Sequence, residues 1–181
     1  AMETTESTTS TASRVGVVVE ETMPDTDHII KPLVTKKALF LGEEGVGKSS
    51  LLSKAGAEPA TVNGRRLDYV FELVTEVPTH RVALQSWCFD DAAKAGISRR
   101  EYYRDPDVVI IVYAVDDRWS FDSVDFWVKE VMSSVDTVPP VVLVGHKIDK
   151  RSGEGTGTTV TTDEGFSKAE ELAYQLGSPA E

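Results

Sequence analysis

A chain of 181 residues and 19.8 kDa has the size of one ordinary domain, and its 40% hydrophobic content can fill a real interior, which excludes a disordered or collagen-like polypeptide. Nineteen basic against thirty acidic residues leave a net charge of −11, so general attraction to nucleic acid or anionic lipid is excluded, and any phosphate must be held by local geometry. The single cysteine, Cys88, excludes an intramolecular disulfide framework and a cysteine-built zinc site, and fits a reducing, cytoplasmic compartment.

Eight of residues 1–13 are Ser or Thr, which predicts a disordered leader. Residues 14–35 read as an N-terminal extension with an extra strand at the valine-rich 15–19, and residues 36–181 as the folded domain. Within that domain short apolar runs alternate with amphipathic stretches, the pattern of strands joined by crossover helices in a parallel sheet. Strands are predicted at 38–41, 108–115 and 141–144, and a hairpin at 69–77 and 81–89 turning through Pro78-Thr79. Helices are predicted from 49–54, over 120–135, and from a capping box of Thr161 and Glu164 to about Leu176, after a glycine-rich loop at 153–157. The longest apolar run, 108–115, is too short to span a membrane. With no glycine at position 2 and no cysteine near Glu181, no lipid anchor is expected in this chain.

Gly42-Glu43-Glu44-Gly45-Val46-Gly47-Lys48-Ser49 fits G-x-x-x-x-G-K-[ST] between an apolar strand and a helix start. Such a loop curls its backbone N–H groups around a polyphosphate, assigning phosphate binding to Gly45, Val46, Gly47, Lys48, Ser49 and Ser50. Lys48 would supply charge to the β and γ oxygens, and the Ser49 hydroxyl would ligate Mg2+.

This form of the loop resembles that of the Ras superfamily of small GTPases, and further stretches follow in the family's order over residues 36–177. Tyr102-Tyr103-Arg104, the strand at 109–115 and Ser120-Phe121-Asp122 look like the segments after its second switch. Val141-Val142-Leu143-Val144-Gly145-His146-Lys147-Ile148-Asp149 looks like the strand that ends in its guanine-reading N-K-x-D, with His146 in place of asparagine. The resemblance implies an α/β P-loop G domain, a doubly wound and mostly parallel sheet with one antiparallel strand, binding GTP or GDP with Mg2+. Asp149 would read guanine, because a carboxylate accepts from N1–H and the 2-amino group while adenine offers no such donor pair. Lys147 would lay its stem along the purine, and His146 would replace an amide that also braces the phosphate loop.

After Trp87 the family shows D-T-A-G-Q, whereas this chain has Cys88-Phe89-Asp90-Asp91-Ala92. Cys88 cannot act as the carboxylate, Asp91 lacks glycine's freedom, and Ala92 cannot orient water, so crippled hydrolysis is expected and no catalytic residue is assigned. Asp90 or Asp91 could serve magnesium through water. Glu44 stands where the family prefers glycine, and Glu43 and Glu44 are expected to point off the loop into solvent. Thr61 is the only threonine between Ala55 and Leu67 that could close over magnesium. The altered second switch, the extension before the domain and Trp87 are similar to the Rad, Gem and Rem branch, whose basic tail this chain does not carry.

The family pattern continues with one more strand and a long helix, while this sequence stops at Glu181, so apolar surface is expected on one sheet face unless residues 15–19 pair at the vacated edge. The resulting expectation is a guanine-nucleotide-binding switch or scaffold with weak or absent GTP hydrolysis, acting on protein effectors. The charge favours an effector with a basic surface. The alternatives are a pseudo-GTPase interaction module that has lost regulated nucleotide binding, and a phosphate-loop kinase or ATPase, which Asp149 disfavours.

Overall fold

The computed structural model describes residues 31–62, 65–151 and 159–177. The expected leader, the strand at 15–19 and the glycine-rich loop at 153–157 lie outside the described residues.

β1 (Leu33–Leu41) leads through the glycine loop into α1 (Lys48–Lys54). β2 (Glu58–Val62), β3 (Arg65–Glu76) and β4 (Arg81–Cys88) follow, then the short helices α2 (Phe89–Lys94) and α3 (Arg99–Tyr102). β5 (Val108–Ala114), α4 (Arg118–Asp122), α5 (Val124–Ser134), β6 (Val141–His146) and α6 (Thr162–Gln175) complete the order. The strands form one sheet in the order β2-β3-β4-β1-β5-β6, in which β3 alone runs against the other five. The expected mostly parallel sheet with one antiparallel strand is what the structure shows.

Side-chain alternation along the strands separates two cores. Leu39, Leu41, Val109, Ile111 and Tyr113 face α3 to α6 and pack with Tyr102, Phe121, Trp127 and Leu172. Ala38, Phe40, Val112 and Ala114 face the other way and meet Leu52 of α1 and Val46 of the loop. On that second face Val34 and Val142 stand exposed. Among the described residues no helix is long and apolar enough to cross a membrane.

Two expectations change. The helix predicted over 120–135 is two helices, α4 and α5, meeting at Ser123, whose hydroxyl donates to the Trp119 carbonyl one turn back. Such back-bonding bends a helix, and periodicity alone does not reveal it. β2 lies in a segment for which the sequence predicts no strand, and it contains Pro59. Proline is nevertheless tolerated at a sheet edge, and the pairing shifts register between Pro59 and Ala60.

The capping box forms as expected, with Thr161 Oγ1 accepting from the Glu164 N–H and Glu164 Oε2 accepting from the Thr161 N–H at 2.8 Å. Its other oxygen accepts from Arg118 at 2.7 Å, and this bond together with those from Thr161 holds the Glu164 carboxyl down to about 2. A carboxyl depressed on folding contributes stability above its unfolded pKa, here about 4.5, and that contribution disappears as pH falls toward 2. Glu164→Gln is therefore expected to lower the thermal midpoint at pH 6 and leave it unchanged near pH 2. The difference should be small, because water screens the pair.

Candidate functional site

β1, β5 and β6 run parallel, so the turns that follow them emerge at one end of the sheet, where α/β folds place their ligands. The loop from Gly42 to Gly47 leaves β1 there. Gly42 has φ +131°, and a Cβ on it would lie 2.1 Å from the Val112 carbonyl oxygen of β5. Gly47 has φ +104°, and a Cβ there would lie 2.3 Å from His146 Nδ1. At Gly42 the backbone of β5 bars a side chain, and at Gly47 one would have to displace the His146 ring as well as adopt a positive φ. Between them Val46 is buried and anchors the loop to the α1-side core.

His146 closes the other side. Its Nδ1 stands 2.9 Å from the Val46 carbonyl, which can only accept, so this nitrogen carries the proton in that contact. The imidazole thus braces the glycine loop. Lys147 follows in the left-handed conformation at φ +60°, and Asp149 lies exposed in the 3-10 turn Ile148–Lys150. The structure therefore brings His146 to the loop and leaves the Asp149 carboxylate facing solvent, with no hydrogen-bond partner among the described residues.

Lys48 is the buried charge of the site, only 5% exposed. Its ammonium donates to the carbonyls of Gly42 and Glu43, each at 2.8 Å, and forms an ion pair with Asp90 Oδ2 at 2.7 Å. Ser49 Oγ donates to Asp91 Oδ2 at 3.3 Å. Gly45 lies exposed in the loop and Ser50 exposed on α1. Glu43 and Glu44 are directed off the cradle, yet both are partnered. Trp127 Nε1 of α5 donates to Glu43 at 3.3 Å, and Lys94 of α2 pairs with Glu44 at 2.9 Å. The Lys94 hydrogen bond holds the Glu44 carboxyl below the usual range.

Three charged or polar contacts therefore fasten α2 to the loop: Asp90 to Lys48, Asp91 to Ser49, and Lys94 to Glu44. Asp90 and Asp91 lie in the first turn of α2, where carboxylates favour the helix dipole, and they reach the loop because β1 and β4 are paired neighbours. Sequence reasoning missed the roles of Lys94 and Trp127. An acid four residues before a base, as in Asp90 and Lys94, is a helical signal that could have placed α2.

Cys88 precedes α2 and is fully buried, and burial pushes its thiol up to about 12. At neutral pH the thiol is therefore uncharged. Ala92 is buried in the α3-to-α6 core. Thr61 lies exposed in β2, opposite Arg66 of β3, and makes no contact with Lys48 or Ser49 among the described ones. Hairpin pairing, which its local sequence does not announce, holds it there.

Comparison with known proteins adds two findings. A sequence model described as the Ras family matches residues 37–178. Ras-related protein Rab-18 of Lymnaea stagnalis is 33% identical over 139 residues, covering 74% of this chain and 65% of that protein. Ras-related protein SEC4 of Saccharomyces cerevisiae is 30% identical over 146 residues, covering 79% and 63%. Ras-related protein Rab-40B of Homo sapiens is 32% identical over 115 residues, covering 62% and 41%. The chain thus spans about two fifths to two thirds of the length of these relatives.

Proposed function

The chain belongs to the Ras family of small GTP-binding proteins, and on that premise we propose that it binds GDP or GTP through the cradle around Lys48 and hydrolyses GTP slowly or not at all. Gly45, Val46, Gly47, Lys48, Ser49 and Ser50 would hold the phosphates, and His146, Lys147 and Asp149 the guanine. The observation that carries the reading is the bond from His146 Nδ1 to the Val46 carbonyl, because it locks the base-reading turn to the phosphate loop despite the changed side chain. A Mg2+ ion held by the Ser49 hydroxyl would supply neutralisation of phosphate charge. The donor set suits a hard cation, since the Ser49 hydroxyl and Asp91 carboxylate are already neighbours and both are oxygen ligands.

Slow hydrolysis rests on what α2 presents. Ala92 is a buried methyl and orients no water, and Asp90 is engaged with Lys48. Output is then recognition of effectors by a soluble, cytoplasmic switch or scaffold, and its net charge of −11 favours a basic partner surface. A second reading, a pseudo-GTPase module without regulated nucleotide binding, is favoured by the same Lys48–Asp90 ion pair.

Equilibrium binding of fluorescent GDP in Mg2+, competed by GDP, GTP and ATP, tests the proposal. At least tenfold weaker competition by ATP is expected, and Asp149→Ala should remove that preference. Equal competition by ATP would refute the guanine assignment, and absence of any nucleotide binding would favour the module. Single-turnover release of phosphate should run near the uncatalysed rate, and Ala92→Gln should not restore it because Cys88, Asp90 and Asp91 remain.

A further inference from the structure

We infer that Asp90 is a built-in surrogate for the terminal phosphate of a nucleoside triphosphate, so that the cradle selects GDP over GTP. The inference rests on the guanine-nucleotide reading above and adds which phosphorylation state the site prefers.

The argument begins with Lys48. A lysine this buried is costly to leave charged and unpaired. Two of its protons are directed at loop carbonyls, which are neutral, and among the described residues the anion on its nitrogen is the Asp90 carboxylate at 2.7 Å. A carboxylate here does for the ammonium what a phosphoryl oxygen would do.

Position decides which phosphate it replaces. In a loop of this type the backbone holds the inner phosphates, the lysine reaches the β and γ groups, and the following hydroxyl serves the metal between them. Asp90 and Asp91 contact that lysine and that hydroxyl, the two groups assigned to the outer end, and neither contacts a backbone N–H of the loop among the described interactions. The inner part of the cradle is left to a diphosphate. A third phosphoryl group would meet Asp90 at the same nitrogen, and two anions a few ångströms apart repel unless one withdraws. Withdrawal is opposed, because the residues of α2 that follow Asp90 are held in place, Asp91 by Ser49, Lys94 by Glu44 and Ala92 by burial in the core.

The competition has a direct test on the full chain in Mg2+, by titration calorimetry with unlabelled GDP and GTP. The unaltered protein is expected to bind GDP at least tenfold more tightly than GTP. Asp90→Asn, which keeps shape and removes charge, should bring the ratio to within about threefold by tightening GTP, while Glu171→Gln, a carboxylate on α6, leaves it unchanged. Thermal melting supplies a second readout. Without nucleotide, Asp90→Asn should melt several degrees lower than the unaltered chain because Lys48 loses its partner, and excess GTP should reverse the order. Asp90→Ser repeats both measurements should the asparagine variant fold poorly. Equal affinities for GDP and GTP in the unaltered chain, or an unchanged ratio in both Asp90 variants, would overturn the inference and leave guanine binding standing. No binding of either nucleotide to any of these proteins would overturn both.

Discussion

Gly42→Ala is expected to lower the thermal midpoint by roughly 5–15 °C and to abolish nucleotide binding. Its Cβ would fall 2.1 Å from the Val112 carbonyl oxygen, and that atom belongs to the backbone of β5, between β1 and β6. Backbone at the centre of a sheet cannot swing aside as a side chain can, so either the loop or two strands must shift. Forcing atoms into packed space costs about 1–3 kcal/mol. The positive φ adds about 1–2 kcal/mol for any residue with a side chain. Gly56→Ala isolates the second cost, since Gly56 also has a positive φ, +80°, but an added Cβ there meets nothing within 4 Å. A melt of Gly42→Ala no worse than that of Gly56→Ala would show that the close approach to β5 does not matter.

The second large effect concerns Tyr102, at the end of α3. Its ring is buried, with edge-on neighbours Phe89 at 5.3 Å and Tyr103 at 5.1 Å between centroids. The single proton of its hydroxyl is shared between the carbonyls of Trp87, at 2.9 Å, and Phe40, at 3.2 Å. Burial raises its pKa well above the ordinary tyrosine value, so the group remains a neutral donor. Phe40 lies two residues before Gly42 and Trp87 one before Cys88, so a single side chain ties together the strand ends that launch the phosphate loop and α2. Tyr102→Ala is expected to cost about 3–5 kcal/mol through the lost aromatic volume. Tyr102→Phe should cost about 1–2 kcal/mol through the lost donor, with a disproportionate loosening at the site. Denaturant unfolding measures the first, and amide exchange at Val46 and Asp90 the second. Unchanged exchange in Tyr102→Phe would confine the hydroxyl to a packing role.

Some elements were legible because their signals are local. The glycine loop is a contiguous pattern whose residue types answer to backbone geometry, and Thr161 with Glu164 form a cap within one turn of helix. The buried strands 38–41, 108–115 and 141–144 declared themselves as short apolar runs, although β1 begins earlier, at Leu33, where its burial gives way to exposure. Other elements depend on partners remote in sequence. β2 exists because β3 offers it hydrogen bonds, and nothing in Glu58–Val62 alone outweighs its proline.

Alone, the order of residues settled the class of fold and displayed the G-x-x-x-x-G-K-S loop, the imidazole at position 146 and the methyl at position 92, because each depends on a residue type at a fixed spacing along one segment. Tertiary structure alone decided that His146 reaches the Val46 carbonyl, that Trp127 and Lys94 are the groups that meet the outward-turned Glu43 and Glu44, and that Asp90 rather than Asp91 meets Lys48. Those pairings join groups from about forty to a hundred residues apart. Which carboxylate meets which cation there depends on strand register and helix phase, quantities that exist only once the sheet has closed.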